Sequence, residues 1–169
     1  MKPPNKSFEP IAYAPAQLCV MAREGMISIR KCDDSDFDGI LSLLRQLWLD
    51  KPINPVTLKE VFGKVVASEH HTCFVAESDG GLLVGFVSLS IKDSLWQEGL
   101  VAHIEELVVD QKARGKGVGT ALVGHTIAMA RDRGCRRVEL DSAHHREAAH
   151  RFYERLGFEN RAVLFSMAL

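Results

Sequence analysis

No apolar run in this chain approaches the roughly 20 residues needed to span a bilayer, so no transmembrane helix is expected. Net charge is nearly absent as well. The 21 basic and 22 acidic side chains leave −1 at neutral pH, which gives no general attraction to nucleic acid or to an anionic membrane. Any cluster of positive charge is therefore a local device, and its partner should be small. Cysteine is sparse: Cys19, Cys32, Cys73 and Cys135 are scattered and form no CxxC pair. That spacing argues against a zinc site and against a disulfide framework, and it suggests a reducing, cytoplasmic compartment. A cleaved signal peptide is not expected either. The stretch Pro10 to Ala22 is weakly apolar, is broken by Pro15 and Gln17, and follows only Lys2 and Lys6 beside Glu9.

What is present suits one domain. The 169 residues are 46% hydrophobic and 25% charged, enough for a sizeable core. Residues 1–25 hold four of the six prolines and show no helix or strand period, so they are expected to form a flexible leader before a folded unit at 26–169. Met21 and Met26 stand as alternative starts. Ile27 and Ile29 alternate with polar neighbours, as in a first strand. Two helical patterns follow. One is capped by Asp33 or Asp34 and runs through Phe37, Ile40, Leu41, Leu44, Leu47 and Trp48; the other opens after Asn54-Pro55. Residues 72–76, 82–91 and 100–110 read as an antiparallel meander with a turn at Ser78–Gly81, and Gly85 marks a bulge. A strand, helix, strand unit comes next, with a helix from Val118 to Arg133 stopped by Gly134 and a short strand at Val138–Leu140. A last helix spans Arg146–Leu156, and Ala162–Leu169 is expected to close the sheet as a strand.

Chemistry concentrates in the loop after Asp110. There an apolar strand meets Gln111-Lys112-Ala113-Arg114-Gly115-Lys116-Gly117-Val118-Gly119-Thr120 at the entry of a helix. Glycines at alternate positions let backbone N–H groups approach a ligand, and the helix dipole and basic side chains favour an anion such as a pyrophosphate. Two phosphate loops are excluded by spacing. A Walker loop needs glycine where Asp110 stands and Ser or Thr where Gly117 stands. The dinucleotide fingerprint needs a glycine at Leu122.

The pattern Arg114-Gly115-Lys116-Gly117-Val118-Gly119 follows Leu107-Val108-Val109-Asp110 and precedes Ala149-His150-Arg151-Phe152-Tyr153-Glu154-Arg155-Leu156-Gly157-Phe158. In these three segments the chain resembles the GNAT superfamily of acyl-CoA-dependent N-acyltransferases, from about Met26 to Leu169. Its ending is similar to the small-molecule branch that includes aminoalkylphosphonate acetyltransferases. The resemblance implies an α/β GNAT fold with a mixed, largely antiparallel sheet and helices on both faces. It also implies acetyl-CoA as cosubstrate with no metal, a small-molecule amine acceptor, and transfer in a ternary complex; a homodimer is plausible. Arg114 to Thr120 would hold the pyrophosphate. Backbone groups of Leu107, Val108 and Val109 would lie along the pantetheine arm, with the Leu107 N–H at the thioester carbonyl.

The same resemblance sets the catalytic candidates. Glu105 is favoured as the base that takes the amine proton, Glu106 is next, and His103 serves as a relay; as neighbours in a strand the two carboxylates should point to opposite faces. Solvated side chains at a strand end are the alternative. Tyr153 stands where the family places the acid that protonates the thiolate, with a core tyrosine beside Phe152 and Phe158 as the alternative. Arg146 replaces an Asn that contacts cofactor in many relatives, and with His150 one turn on it could bind an anionic group. An exposed cluster at a helix start is the rival reading, and acetylation of a protein amine or a non-catalytic CoA-binding module are the rival functions.

Overall fold

The computed structural model describes residues 17–22 and 25–168. One six-stranded sheet organises them, in the spatial order β1 (Gln17–Ala22), β2 (Gly25–Lys31), β3 (His71–Ser78), β4 (Leu83–Ser94), β5 (Gly99–Val109) and β6 (Arg137–Leu140). All neighbours are antiparallel except β5 and β6, which run parallel because helix α3 (Val118–Asp132) carries the chain back between them. Helices α1 (Phe37–Leu47) and α2 (Pro55–Ala67) connect β2 to β3, and α4 (Glu147–Arg155) follows β6. This is the mixed, largely antiparallel α/β sheet with helices on both faces that the sequence leads one to expect.

Alternation along the strands feeds two separate cores. On one face Ile29, Phe74, Ala76, Val87, Leu89 and Ile104 pack with Leu122 and Met129 of α3. On the other, Cys73, Val75, Phe86 and Val108 pack with Phe37, Ile40 and Leu44 of α1 and Phe62 of α2. The helix starts are set by local chemistry. The Asn54 side chain accepts from the N–H groups of Val56 and Thr57 ahead of α2, with Pro55 at its first position. Before α1, Asp33 and Asp36 close a reciprocal capping box, and Asp36 also pairs with Arg30 at 2.7 Å. Gly85 lets α3 approach the sheet, since a Cβ there would stand 2.8 Å from Leu122.

Three expectations need correction. Part of the stretch read as a leader, Gln17–Ala22, is strand β1, in register with β2 from Gln17↔Arg30 to Ala22↔Gly25. Six residues beside prolines carry too short a pattern to read alone; the pairing edge of β2 makes them a strand. The rest of that leader reading, residues 1–16 and 23–24, lies outside the described residues. At the other end, residues 159–168 form no strand, and Val163, Leu164, Phe165 and Met167 are exposed. An apolar run acquires strand structure only by pairing with an edge, and residues 159–168 pair with none of the described strands. Lastly, Cys32 and Cys73 form a disulfide with Cα atoms 5.7 Å apart. Positions 41 residues apart in sequence become cross-strand neighbours at the end of β2, where the Cys32 N–H donates to the Cys73 carbonyl. The scattered-cysteine argument for a reducing compartment falls with it.

Candidate active site

On the face covered by α1 and α2, three successive cross-strand rows change from apolar to polar. Val75, Phe86 and Val108 form the first row, Cys73, Ser88 and Glu106 the second, and His71, Ser90 and His103 the third. The first row belongs to the core under α1. Beyond it the sheet turns into a floor of hydroxyl, carboxylate and imidazole groups. The Coulombic fields of Lys51, which follows α1, and of His71 reach Glu106 across this floor.

The two candidate carboxylates share that floor. In β5 the register slips by one residue: Ser88 pairs with Glu106 while its neighbour Leu89 pairs with Ile104, so Glu105 is the extra residue of a bulge. Strict alternation would send Glu105 and Glu106 to opposite faces. The bulge instead brings both against Ser88 and Ser90, two residues apart on one face of β4. The Ser90 hydroxyl donates to Glu105 at 2.6 Å, and the Ser88 hydroxyl donates to Glu106. Their surroundings differ. Glu105 is exposed, whereas Glu106 is half-buried. Burial pushes the Glu106 carboxyl above the usual carboxylate range; the Ser88 bond opposes the rise, and the negative charge of Glu105 adds to it.

The bulge lies where β5 and β6 separate. Their pairing ends at Ile104↔Leu140, and β5 continues alone to Val109. Over residues 105–109 the outer edge of β5 has no strand beside it among the described residues, leaving backbone groups for an extended ligand. At the point of separation His103 and Asp141 approach to 3.3 Å, linking the two strands. Val108 is buried in the core, so only its backbone is available at this edge, while Leu107 and Val109 pack along the border of the α3 core.

Past Val109 the chain makes the glycine-rich loop that leads into α3. Gly115 (φ 76°) and Gly117 (φ 95°) take left-handed conformations that side chains disfavour. A Cβ at either would meet nothing within 4 Å, so the space beside them is open. Gly117 is the N-cap of α3, and no side chain caps that helix, which leaves the first-turn N–H groups of Val118, Gly119 and Thr120 for a ligand. Arg114 is tied back to the end of β5 through a bond from Nε to the Val109 carbonyl. The loop is also braced from α1. Gln46 donates to Asp110 at 2.9 Å and accepts from the Gln111 N–H at 3.0 Å, while Asp110 accepts from the Lys112 N–H.

Helix α4 closes the far side. Phe152 packs against the start of α3, 3.3 Å from a Cβ built at Gly119, and Tyr153 meets Phe152 and Phe158 edge-on. Burial raises the Tyr153 phenol above its ordinary pKa, an effect that Arg146 partly offsets. Arg146 lies just before the helix, and its guanidinium donates to the Leu47 carbonyl at the end of α1. His150 lies 3.1 Å from the Ala143 carbonyl, so the two side chains hold different backbone partners.

Ser88, Ser90, Gln46 and Asp141 did not stand out in the sequence. A trace of the two serines exists: Phe86-Val87-Ser88-Leu89-Ser90-Ile91 alternates, which identifies a half-polar strand face. Whether such a face meets water or a site depends on what lies above it. Gln46 has no signal at all, because its partners are 64 and 65 residues away.

Comparison with known proteins defines the class. Residues 25–158 match the model of the acetyltransferase (GNAT) family. The chain belongs to this family and is an acetyl-CoA-dependent N-acetyltransferase. Among its relatives, a glucosamine 6-phosphate N-acetyltransferase of Trypanosoma brucei brucei is 34% identical over 133 residues, covering 78% of this chain and 88% of that protein. The aminoalkylphosphonate N-acetyltransferase of Salmonella typhimurium is 35% identical over 89 residues, 53% of this chain and 58% of that one. The crystal structure of glucosamine-6-phosphate N-acetyltransferase from Arabidopsis thaliana superposes with a TM-score of 0.71 at 28% identity, covering 84% of this chain and 97% of that one.

Proposed function

We propose that this enzyme moves an acetyl group from acetyl-CoA to the primary amine of a small molecule, by direct attack in a ternary complex. Glu106 carries the reading. It is a desolvated carboxylate with a raised pKa, beside the split between β5 and β6 and on the face of α1 and α2.

An alkyl ammonium has a pKa near ~10 and cannot attack until it loses a proton. Glu106, directly or through a water, accepts that proton. Its raised pKa makes it a stronger base than an ordinary carboxylate, and the exposed Glu105 is suited to holding the ammonium in place. This choice reverses the preference between the two that family position suggests. The free amine then attacks the thioester carbonyl, forming the N–C bond as the C–S bond breaks. The N–H groups of the loop and of α3 hold the pyrophosphate, and the open edge of β5, with the Leu107 N–H at the carbonyl, orients the acyl arm. Tyr153 gives a proton to the departing thiolate. Because burial raises its pKa, this transfer depends on Arg146 and on the proximity of the thiolate.

For the acceptor, the relatives suggest a small amine bearing an anionic group, and Lys51 beside the acidic floor supports the same choice. The test is thiol release from acetyl-CoA across a panel of glucosamine 6-phosphate, aminoalkylphosphonates, aminoglycosides and lysine peptides. Turnover confined to peptides would transfer the reading to protein amines. Thermal stabilisation by CoA without turnover of any amine would favour a binding module.

A further inference from the structure

The mechanism above leaves open what keeps a buried carboxylate ready to accept a proton. Glu106 faces four groups: Ser88 on β4, Glu105 on its own strand, Lys51 after α1 and His71 on β3. Glu105 repels the ionised form, and Lys51 and His71 favour it through space. Among the described residues, Ser88 holds it by a hydrogen bond. Its side chain is buried at 5% exposure, and the register Ser88↔Glu106 fixes the two residues opposite each other.

We propose that Ser88 is a positioning residue for acetyl transfer: its hydroxyl donates to Oε2 of Glu106, keeps that carboxylate ionised at working pH, and leaves Oε1 for the acceptor amine. A hydroxyl is suited to the task because the β4 backbone already fixes it, so its donor is aimed at little entropic cost. The row geometry gives a second reason. The next residue in this row is Cys73, held in the disulfide with Cys32, so the strand positions bearing Ser88 and Glu106 are braced from the β2 side. The inference rests on the reading of Glu106 as the base.

The test follows kcat/KM for glucosamine 6-phosphate between pH 5 and 9, together with the carboxyl titration of Glu106 by NMR in enzyme labelled with carbon-13 at glutamate Cδ. A hydrogen bond to a charged group contributes about 1.5–3 kcal/mol, equivalent to about one to two pH units. Ser88→Ala should therefore move the acidic limb and the titration upward by about one unit or more. It should lower kcat/KM roughly tenfold on the acidic limb, with little loss on the plateau, and leave the KM for acetyl-CoA within twofold. Ser88→Thr, which keeps the hydroxyl, should restore both. If Ser88→Ala does not fold, Ser88→Cys, with its weak donor, should give an intermediate shift. An unmoved limb and titration in Ser88→Ala, with Glu106→Gln inactive, would overturn the role of Ser88 and leave the base reading intact. A fully active Glu106→Gln would overturn both.

Discussion

Removing the Gln46 side chain should weaken cofactor binding without touching the chemistry. Gln46 is on α1, remote in sequence from the anion loop, yet it makes two bonds to the loop's first residues: Nε2 to the Asp110 carboxylate at 2.9 Å and Oε1 from the Gln111 N–H at 3.0 Å. The bond to the exposed carboxylate is screened by water and contributes about 1 kcal/mol; the bond from the backbone contributes about 0.5–1 kcal/mol. Gln46→Ala forfeits about 1.5–2 kcal/mol of loop order. If a ligand binds only the ordered loop, apparent affinity falls in proportion to the ordered fraction, a factor of roughly 10–30. Isothermal titration with CoA reads this directly, and the KM for acetyl-CoA should rise with it while kcat stays within about twofold. Gln46→Glu should be worse, because it sets a second carboxylate against Asp110. A CoA affinity within twofold of wild type in Gln46→Ala would refute the idea that α1 orders the loop.

Tyr153→Phe should reduce kcat by about 10-fold or more, as expected on losing a general acid, with CoA affinity nearly unchanged; unaltered turnover would remove Tyr153 from the chemistry. Gly117→Asp should abolish CoA binding, because it strains a residue at φ 95° and sets a negative charge at the α3 N-terminus; normal CoA affinity would show that the pyrophosphate lies elsewhere. Folding raises the Glu106 pKa, so its contribution to stability is present at low pH and lost as pH rises through the raised value. Glu106→Gln should therefore gain melting temperature over wild type at pH 7.5 compared with pH 4, and equal differences at both would argue against a desolvated carboxylate. Closing 41 residues with the Cys32–Cys73 disulfide contributes about 4 kcal/mol in a chain-entropy account. At about 2–4 °C per kcal/mol for a domain of this size, reductant should lower the melting temperature by roughly 8–16 °C, and Cys73→Ala should abolish the response.

Much of this architecture was legible because its signals are local. Asn54-Pro55 announces α2, Gly134 ends α3, and the glycines after Asp110 mark the loop that opens α3. What escaped reading depends on pairing across the chain. Gln17–Ala22 becomes a strand through β2, residues 162–168 pair with no described strand, and Cys32 finds Cys73 through register. The carboxylates show the same division. Their residue types could be chosen from the sequence, but the face they occupy depends on a slip in β5 that leaves no mark in composition.

That slip also changes how the rest of the strand is used. Before it, even-numbered positions such as Ala102 and Ile104 pack toward α3; after it, even-numbered Val108 packs toward α1. One extra residue thus reverses the parity of the strand midway: even-numbered positions face α3 before it, and odd-numbered Leu107 and Val109 do so after it. The reversal falls where Glu105 and Glu106 stand side by side against Ser88 and Ser90. A chain lacking Glu105 would pair Ile104 and Glu106 with Leu89 and Ser88 as a regular ladder, with every later side chain still on its present face. The extra residue therefore adds a second carboxylate to the polar floor without disturbing what either core receives from the strand.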